Sequence, residues 1–357
     1  MFCIAAFIVL AIIGIFSAKY RKLAKKAWNC TLRRVTFRPC DTSFKEETKN
    51  KLLSHVANRT PRLVKVADIG IEVAAFLFVF LTIWSVLVVA RSGLNLYVWG
   101  TCNPANASSC SLGAESCSID TATKDLWTFT AEGKPQMWFV QEFKSFADTV
   151  ANIPARIQKW DANNYLPENA SYYSKKDDTK PLALEVIDPG CSVCANMFKN
   201  ILSAGFEKRY NLTYIAYPIK NPHKEGEYRF ANSYVVASYL ESIKMNQLEG
   251  LTTPADWQVL ERIFTWKDEN NLDYQLKINS LLNKEQTSIL INKWLGEIGY
   301  TEKQIAKIEN DRLSKKVVDA LSKNRDIVEN QIKTVKIPTI IFDGRRSGGL
   351  LSPDQLR

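Results

Sequence analysis

Residues 186–198 read VIDPGCSVCANMF and place two cysteines, Cys191 and Cys194, just after a short apolar run. That run, residues 182–187 (LALEVI), is typical of a buried strand, and the Asp-Pro-Gly that follows it ends the strand. From Cys191 onward, apolar residues recur at helical spacing. The stretch therefore predicts a strand, a tight turn and a helix that opens on a cysteine.

A cysteine at the start of a helix is chemically activated by its position. The helix N-terminus carries unpaired amide N–H groups and about half a positive charge, and both favour thiolate over thiol. Because the thiolate is the nucleophile, Cys191 is the expected attacking residue. Cys194, one turn further along, could attack a mixed disulfide on Cys191 and release the bound partner. The spacing therefore favours a redox-active dithiol.

Two other interpretations of the pair stay open on local pattern. One is a structural disulfide between Cys191 and Cys194. The other is half of a metal site, which needs about four Cys or His ligands. The chain has two histidines, His55 and His223, and His223 lies in a turn next to a proline. We therefore predict no metal site and no cofactor.

Two uncharged apolar runs near the N-terminus predict membrane helices. They cover residues 2–18 and 73–90. About 20 helical residues cross the core of a bilayer. We assign transmembrane helices to residues 1–18 and 68–92, and the first run is slightly short, as expected if it is clipped.

The formal net charge of +10 is concentrated between these two runs. Residues 19–67 carry 14 Lys and Arg against 3 Asp and Glu. An excess of basic residues marks a cytoplasmic loop, and because the charges follow the first run, a cleaved signal peptide is not predicted. Everything after Arg91 would then lie outside the cytoplasm. No aromatic or motif framework accompanies the charge, so the expected partner is the lipid bilayer and not nucleic acid.

The cysteines divide according to this topology. Cys30 and Cys40 lie in the basic loop on the reducing side and are expected to be free thiols. Residues 93–137 form a predicted extracytoplasmic loop that contains Cys102, Cys110 and Cys117. The stretch between these three is rich in Asn, Ser, Gly and Ala, and disulfides persist in oxidising compartments. A structural disulfide is predicted there, with one cysteine left over that the spacing does not identify.

The remaining chain alternates between helical and strand patterns. Residues 138–180 predict an amphipathic helix followed by a polar linker. Residues 211–219 (NLTYIAYPI) and 334–344 (TVKIPTIIFDG) predict two strands, and residues 227–335 between them are helical in character. The final LSPDQLR has a Ser N-cap and a Pro at the first helical position, so it predicts a helix that is truncated.

Residues 181–357 resemble a thioredoxin fold of the DsbA-like thiol-disulfide oxidoreductase family. The matching segments are VIDPGCSVC, LTYIAYPI and KIPTIIFDG, in that order around a long helical insertion. The resemblance implies a cis-proline at Pro338, with Ile337 and Pro338 docking the substrate. A cis X-Pro bond removes an N–H and turns the backbone of its neighbour toward a docked strand. The dipeptide between the cysteines, SV, differs from the Gly-Pro of thioredoxins and the Pro-His of DsbA-type oxidants.

We therefore predict an α/β thioredoxin-like fold with a long helical insertion (residues 227–335), preceded by two transmembrane helices. The predicted function is that of a membrane-anchored thiol-disulfide oxidoreductase, with Cys191 and Cys194 as its catalytic residues. It would act on extracytoplasmic protein cysteines and exchange electrons with a redox partner protein. The alternative is a non-catalytic thioredoxin-like binding or assembly module, tethered to the membrane and closed by a structural disulfide.

Overall fold

The computed structural model describes residues 7–9, 18–35, 64–107 and 114–357. Its helices are α1 (Ala18–Val35), α2 (Val64–Trp99), α3 (Leu126–Ala131), α4 (Gln136–Ala151), α5 (Ile153–Ile157), α6 (Ser192–Ser203), α7 (Phe206–Arg209), α8 (Ser233–Met245), α9 (Ala255–Thr265), α10 (Tyr274–Ser280), α11 (Lys284–Ile298), α12 (Glu302–Asp311), α13 (Lys315–Asp326) and α14 (Pro353–Leu356). A 3₁₀ turn covers Ala162–Tyr165, and a π-helix covers Ile327–Ile332. The strands are β1 (Cys117–Ser118), β2 (Leu182–Ile187), β3 (Asn211–Ala216), β4 (Lys336–Ile337), β5 (Thr339–Phe342) and β6 (Arg345–Gly348).

The chain divides into two compact units, Met1–Ala90 and Arg91–Arg357. Within the described ranges, α2 is the one helix long and apolar enough, by length and composition, to cross a membrane. At about 1.5 Å per residue its 36 residues extend about 54 Å, which exceeds the roughly 30 Å of a bilayer core. It is therefore longer at both ends than the predicted span, residues 68–92. The other predicted span, residues 1–18, lies almost entirely outside the described ranges.

Helix α1 begins at Ala18 and covers the first part of residues 19–67, the segment predicted as the basic cytoplasmic connection between the two spans. Its sequence, AKYRKLAKKAWNCTLRRV, has no Gly or Pro and is rich in Ala, Leu, Lys and Arg, which favour helix. The predictions for Cys40, Cys110 and His55 concern residues outside the described ranges, and the side chain of Cys30 is not described either.

Four strands form the central sheet in the order β3-β2-β5-β6. β2 and β3 are parallel, with Leu182 opposite Asn211, whereas β5 is antiparallel to both of its neighbours. β2 has the predicted bounds. The predicted strand over residues 334–344 is divided at Pro338, which has no N–H to donate to a ladder. This order and these directions are those of a thioredoxin-like fold.

The helical insertion, residues 227–335, contacts both the central sheet and α6 through Trp257. β2 is buried from its second residue onward, which accounts for its nearly continuous apolar sequence. Trp257 of α9 is fully buried, with its ring centroid 4.6 Å from that of Tyr214 on β3 and 6.1 Å from that of Phe198 on α6. Its indole N–H donates to the Ser171 carbonyl oxygen at 3.2 Å, which satisfies the one polar group of the ring. The same aromatic side chain therefore fixes both the sheet and the helix that follows Cys191.

Two local predictions concern the beginning and the end of the second unit, Arg91–Arg357. The predicted loop over residues 93–137 contains the end of α2 and also α3, where the Asp125 side chain accepts from the Thr128 N–H at 2.7 Å as an N-cap. The helix predicted in LSPDQLR is α14, and the Ser352 N–H donates to the Gln355 side chain at 2.9 Å across its first turn.

Candidate active site around Cys191

Cys191 is the N-cap residue of α6, at the turn that follows β2. Its N–H donates to the Asp188 carbonyl oxygen at 3.0 Å, and its own carbonyl accepts from the Cys194 N–H at 3.1 Å. Its Sγ lies 3.9 Å from the carbonyl oxygen of Ile337. The peptide bond between Ile337 and Pro338 is cis. The fold thus brings all four residues singled out in the sequence to one place.

The disulfide at this place joins Cys191 to Cys117 and not to Cys194. The two Cα atoms are 6.2 Å apart, across a sequence separation of 74 residues. Among the described cysteines, Cys194 is free and buried. Cys102 is disulfide-bonded. Cys117, which is bonded to Cys191, is not part of a pair within the cluster of Cys102, Cys110 and Cys117, for which the sequence predicted one disulfide and one unidentified cysteine left over. Spacing along the chain carries no signal for such a long-range pair.

Cys117 reaches this position as part of an added strand. β1 pairs antiparallel with β4, and Cys117 lies directly opposite Ile337. One residue beyond β1, the Ile119 N–H donates to the Val335 carbonyl oxygen at 3.0 Å. The pairing is therefore that of an extended peptide added along β4, with a backbone hydrogen bond just beyond the disulfide.

Arg229 holds the same segment from the opposite side. Its guanidinium donates to the carbonyl oxygen and to the hydroxyl of Ser118, at 2.8 and 3.0 Å, and to the Asp120 carboxylate at 3.1 Å. Hydrogen bonds from a charged donor are stronger than neutral ones, and Ser118 is fully buried. Arg229 was not among the predicted site residues, because a single arginine in a polar turn has no distinguishing local signal.

Solvent does not reach the reactive sulfurs in this arrangement. Cys191 and Cys194 have 0% exposed surface, and Cys117 has 8%. The segment around Cys117, which is bonded to Cys191, contributes to the burial of the Cys191 sulfur. Access to Cys191 by another protein therefore requires that residues 114–121 leave the position they occupy here.

The buried carboxyl group of Glu185 lies near Cys194. Burial raises the pKa of Glu185 to about 8, and its Oε1 atom has no hydrogen-bond partner in the described part of the chain. Burial also raises the pKa of the Cys194 thiol well above its usual value, and a charge on Glu185 raises it further. Glu185 was not among the predicted site residues, although a single acidic residue inside the apolar strand LALEVI is a signal that the sequence carries.

The turn before Cys191 depends on a second buried carboxylate. Asp188 accepts from the Ile219 N–H and the Gly190 N–H, each at 2.8 Å, and from the Ser233 hydroxyl. Burial raises its pKa to about 6, an effect that these three hydrogen bonds oppose. At Gly190 there is no room for a side chain, because an added Cβ would lie 2.4 Å from the Cβ of Phe230. The turn that presents Cys191 is thus fixed by its polar contacts and by the absence of a side chain.

No group of three or more side chains suited to hold a metal ion lies within the described ranges. His223 is described there, and it belongs to no such group. The reactive groups that the structure places here are the sulfurs of Cys117, Cys191 and Cys194 and the carboxyl group of Glu185.

No protein-family model matches the chain, and no curated protein matches it. Several solved structures are similar to it, and those below are DsbA-like or thioredoxin-like oxidoreductases. A thioredoxin-like oxidoreductase from Silicibacter pomeroyi DSS-3 is 13% identical with a TM-score of 0.36, over 54% of this chain and 90% of that one. The thiol-disulfide exchange protein alpha-DsbA2 from Wolbachia pipientis is 14% identical with a TM-score of 0.37, over 52% of this chain and 83% of that one.

A third similar structure is MdbA, a thiol-disulfide oxidoreductase from Corynebacterium diphtheriae. It is 11% identical with a TM-score of 0.36, over 55% of this chain and 93% of that one. The assignment of a thioredoxin-like fold rests on the strand order and on the position of Cys191 at the start of α6, and not on these distant likenesses.

Proposed function

We propose that this chain is a membrane-anchored thiol-disulfide oxidoreductase that acts on extracytoplasmic protein cysteines. Cys191 is the nucleophile, Cys194 the resolving cysteine, and Ile337 with Pro338 the docking segment for the client. The observation that carries the proposal is the position of Cys191, at the start of α6 and 3.9 Å from the Ile337 carbonyl oxygen. A helix start favours the thiolate, and the adjacent strand edge offers backbone groups to an extended client.

The reaction proceeds by two exchanges. In reduction of a client, the Cys191 thiolate attacks the client disulfide, forms a mixed disulfide and releases one client thiolate, which takes up a proton. Cys194 then loses its proton, attacks Cys191 Sγ and releases the second client thiolate. Glu185 is the buried titratable group next to Cys194, and its ionised form, which a pKa of about 8 makes prevalent only above that pH, can accept this proton. Oxidation of a client follows the same steps in reverse.

The proposed location is a membrane crossed twice, with the catalytic unit outside the cytoplasm. What supports it is the length and composition of α2 and the excess of basic residues in residues 19–67. Its partners are then the lipid bilayer, extracytoplasmic proteins with cysteines, and a redox protein that restores the dithiol or the disulfide.

Activity assays on the full chain in detergent test the proposal. Cys191→Ser is expected to abolish both insulin reduction and oxidation of a reduced dithiol peptide, because it removes the nucleophile. Cys194→Ser is expected to accumulate mixed disulfides with the client, because release fails. Ser203→Ala, at the far end of the same helix and exposed, is the matched control and keeps wild-type activity. Wild-type activity in Cys191→Ser would refute the proposal.

A second candidate is a non-catalytic module tethered to the membrane, and one observation favours it: Cys191 is fully buried and bonded to Cys117. The reduction potential of that bond, titrated in the full chain, separates the two candidates. Structural disulfides have potentials below about −300 mV, whereas exchangeable ones lie higher. A value below that limit supports the module, and a higher one supports the oxidoreductase.

A further inference from the structure

We infer that Cys117 is a third redox-active cysteine, and that residues 114–121, the internal client segment, occupy the place that an external client takes. The inference rests on the proposed function and deepens it. In this view the Cys117–Cys191 bond is a mixed disulfide within one chain, which Cys194 resolves. External clients and the internal client segment then compete for the same sulfur and the same strand edge.

The position of the internal client segment carries the inference. Its cysteine lies opposite Ile337 in an antiparallel pair, and it is bonded to the sulfur at the start of α6. A client that adds a strand to β4 and forms a mixed disulfide with Cys191 needs this same pairing. A disulfide whose only role was to anchor the loop would have no need to use the one cysteine that precedes α6.

Contacts away from the sulfur dock the segment as a peptide. The Leu350 N–H donates to the Glu115 carbonyl oxygen at 2.8 Å. Gly349 has φ +93°, and a Cβ added there would lie 2.9 Å from the Cβ of Ala114, so the loop after β6 closes directly on the segment. Arg229 contacts Ser118 and Asp120 on the other side, as described above. Backbone bonds, close packing and one charged contact hold the segment along its length.

The exchange step balances without any added oxidant or reductant. Cys194 loses its proton, and its thiolate attacks Cys191 Sγ. The Cys117–Cys191 bond breaks, a Cys191–Cys194 bond forms, and Cys117 leaves as a thiolate that takes up one proton. One disulfide and one thiol are present before the step and after it, so only their positions change.

Tethering gives the internal client segment an advantage over external clients. Groups joined by a short linker meet at an effective concentration of about millimolar, whereas a client protein at micromolar concentration is about a thousandfold more dilute. Cys191 is therefore expected to react slowly with external clients until the segment leaves. The segment thus limits which cysteines reach Cys191, and when.

Disulfide mapping of the full chain in detergent tests the exchange without any client. The protein is incubated at pH 8, alkylated, digested and examined by mass spectrometry. The wild type is expected to contain both linked pairs, Cys117–Cys191 and Cys191–Cys194, with the remaining cysteine alkylated in each. Cys194→Ser is expected to contain Cys117–Cys191 alone. If the wild type holds only Cys117–Cys191 at all times, the bond is structural and the inference is overturned.

A charge substitution tests the docking without touching a cysteine. Arg229→Gln removes the charged hydrogen bonds to Ser118 and Asp120. It is expected to raise the ratio of Cys191–Cys194 to Cys117–Cys191 by at least about tenfold, which corresponds to the loss of one charged hydrogen bond. Lys323→Gln, which breaks an exposed ion pair with Glu168 elsewhere, is the control and keeps the wild-type share. An unchanged share in Arg229→Gln, with native secondary structure retained, counts against the inference.

Client assays distinguish this inference from the proposed function. Cys117→Ser frees Cys191 from its internal partner, so it is expected to exchange with a reduced or oxidised peptide at least about tenfold faster than the wild type. An equal rate in both proteins would leave the proposed function standing and overturn the internal client. No exchange in either protein would overturn the proposed function, whereas the mapping above tests Cys117 independently of any activity.

Discussion

Replacing Glu185 by Gln should remove a steep dependence of stability on pH. The carboxyl group is fully buried, and its pKa is raised from 4.5 to about 8 by burial. The folded state therefore retains a proton that the unfolded state loses as the pH rises through 4.5. Between pH 4.5 and 8 this group lowers the free energy of unfolding by about 1.36 kcal/mol per pH unit, or about 5 kcal/mol over the whole window.

The Glu185→Gln variant keeps the shape of the side chain and loses the titration. The measurement is denaturant unfolding of the full chain in detergent at pH 5, 6, 7 and 8, followed by tryptophan fluorescence. Because Asp188 also titrates in this range, the quantity to compare is the difference between wild type and variant at each pH. The variant should gain about 4 kcal/mol relative to wild type between pH 5 and 8.

The control is Glu168→Gln, which changes one exposed carboxylate on the surface and so reports the effect of net charge alone. A difference between wild type and Glu185→Gln that stays constant from pH 5 to 8 would refute the account of Glu185 as a buried carboxyl group that is protonated at neutral pH. In the same variant, release of a trapped client by Cys194 should be slower at pH 9, where the wild-type carboxylate is ionised and can accept the Cys194 proton.

Three further substitutions test the turn and the core, each by denaturant unfolding. Gly190→Ala should cost about 1–3 kcal/mol, because the added Cβ would lie 2.4 Å from Phe230; an unchanged midpoint would show that Phe230 moves freely. Asp188→Asn should cost about 1–3 kcal/mol at pH 8 through its lost hydrogen bonds, and about 2 kcal/mol more at pH 4.5, because the raised pKa stabilises the wild type relative to the variant as the pH falls through 6; a cost that shrinks toward low pH would contradict this. Trp257→Ala should cost about 3–5 kcal/mol, and a loss below 1 kcal/mol would mean that its aromatic contacts to β3 and α6 are dispensable.

Local patterns predicted the elements around the site closely. The strand over residues 182–187 has the predicted bounds, and the helix begins directly after Cys191. The N-cap predicted at Ser352 opens α14. These features follow from side-chain periodicity and from capping, both of which depend only on residues close together in the sequence. By contrast, α1 and α3 lie largely in the predicted connections 19–67 and 93–137, for which no local helix was predicted.

The sequence alone determined that a cysteine would stand at the start of a helix after a buried strand, with an apolar helix of membrane-spanning length before it. Only the tertiary structure decided which cysteine that sulfur is bonded to, and which carboxyl group lies beneath it. Cys117 and Cys191 are 74 residues apart, and their contact depends on the pairing of β1 with β4. Strand pairing over such distances depends on how the whole chain packs, and no local spacing of residues encodes it.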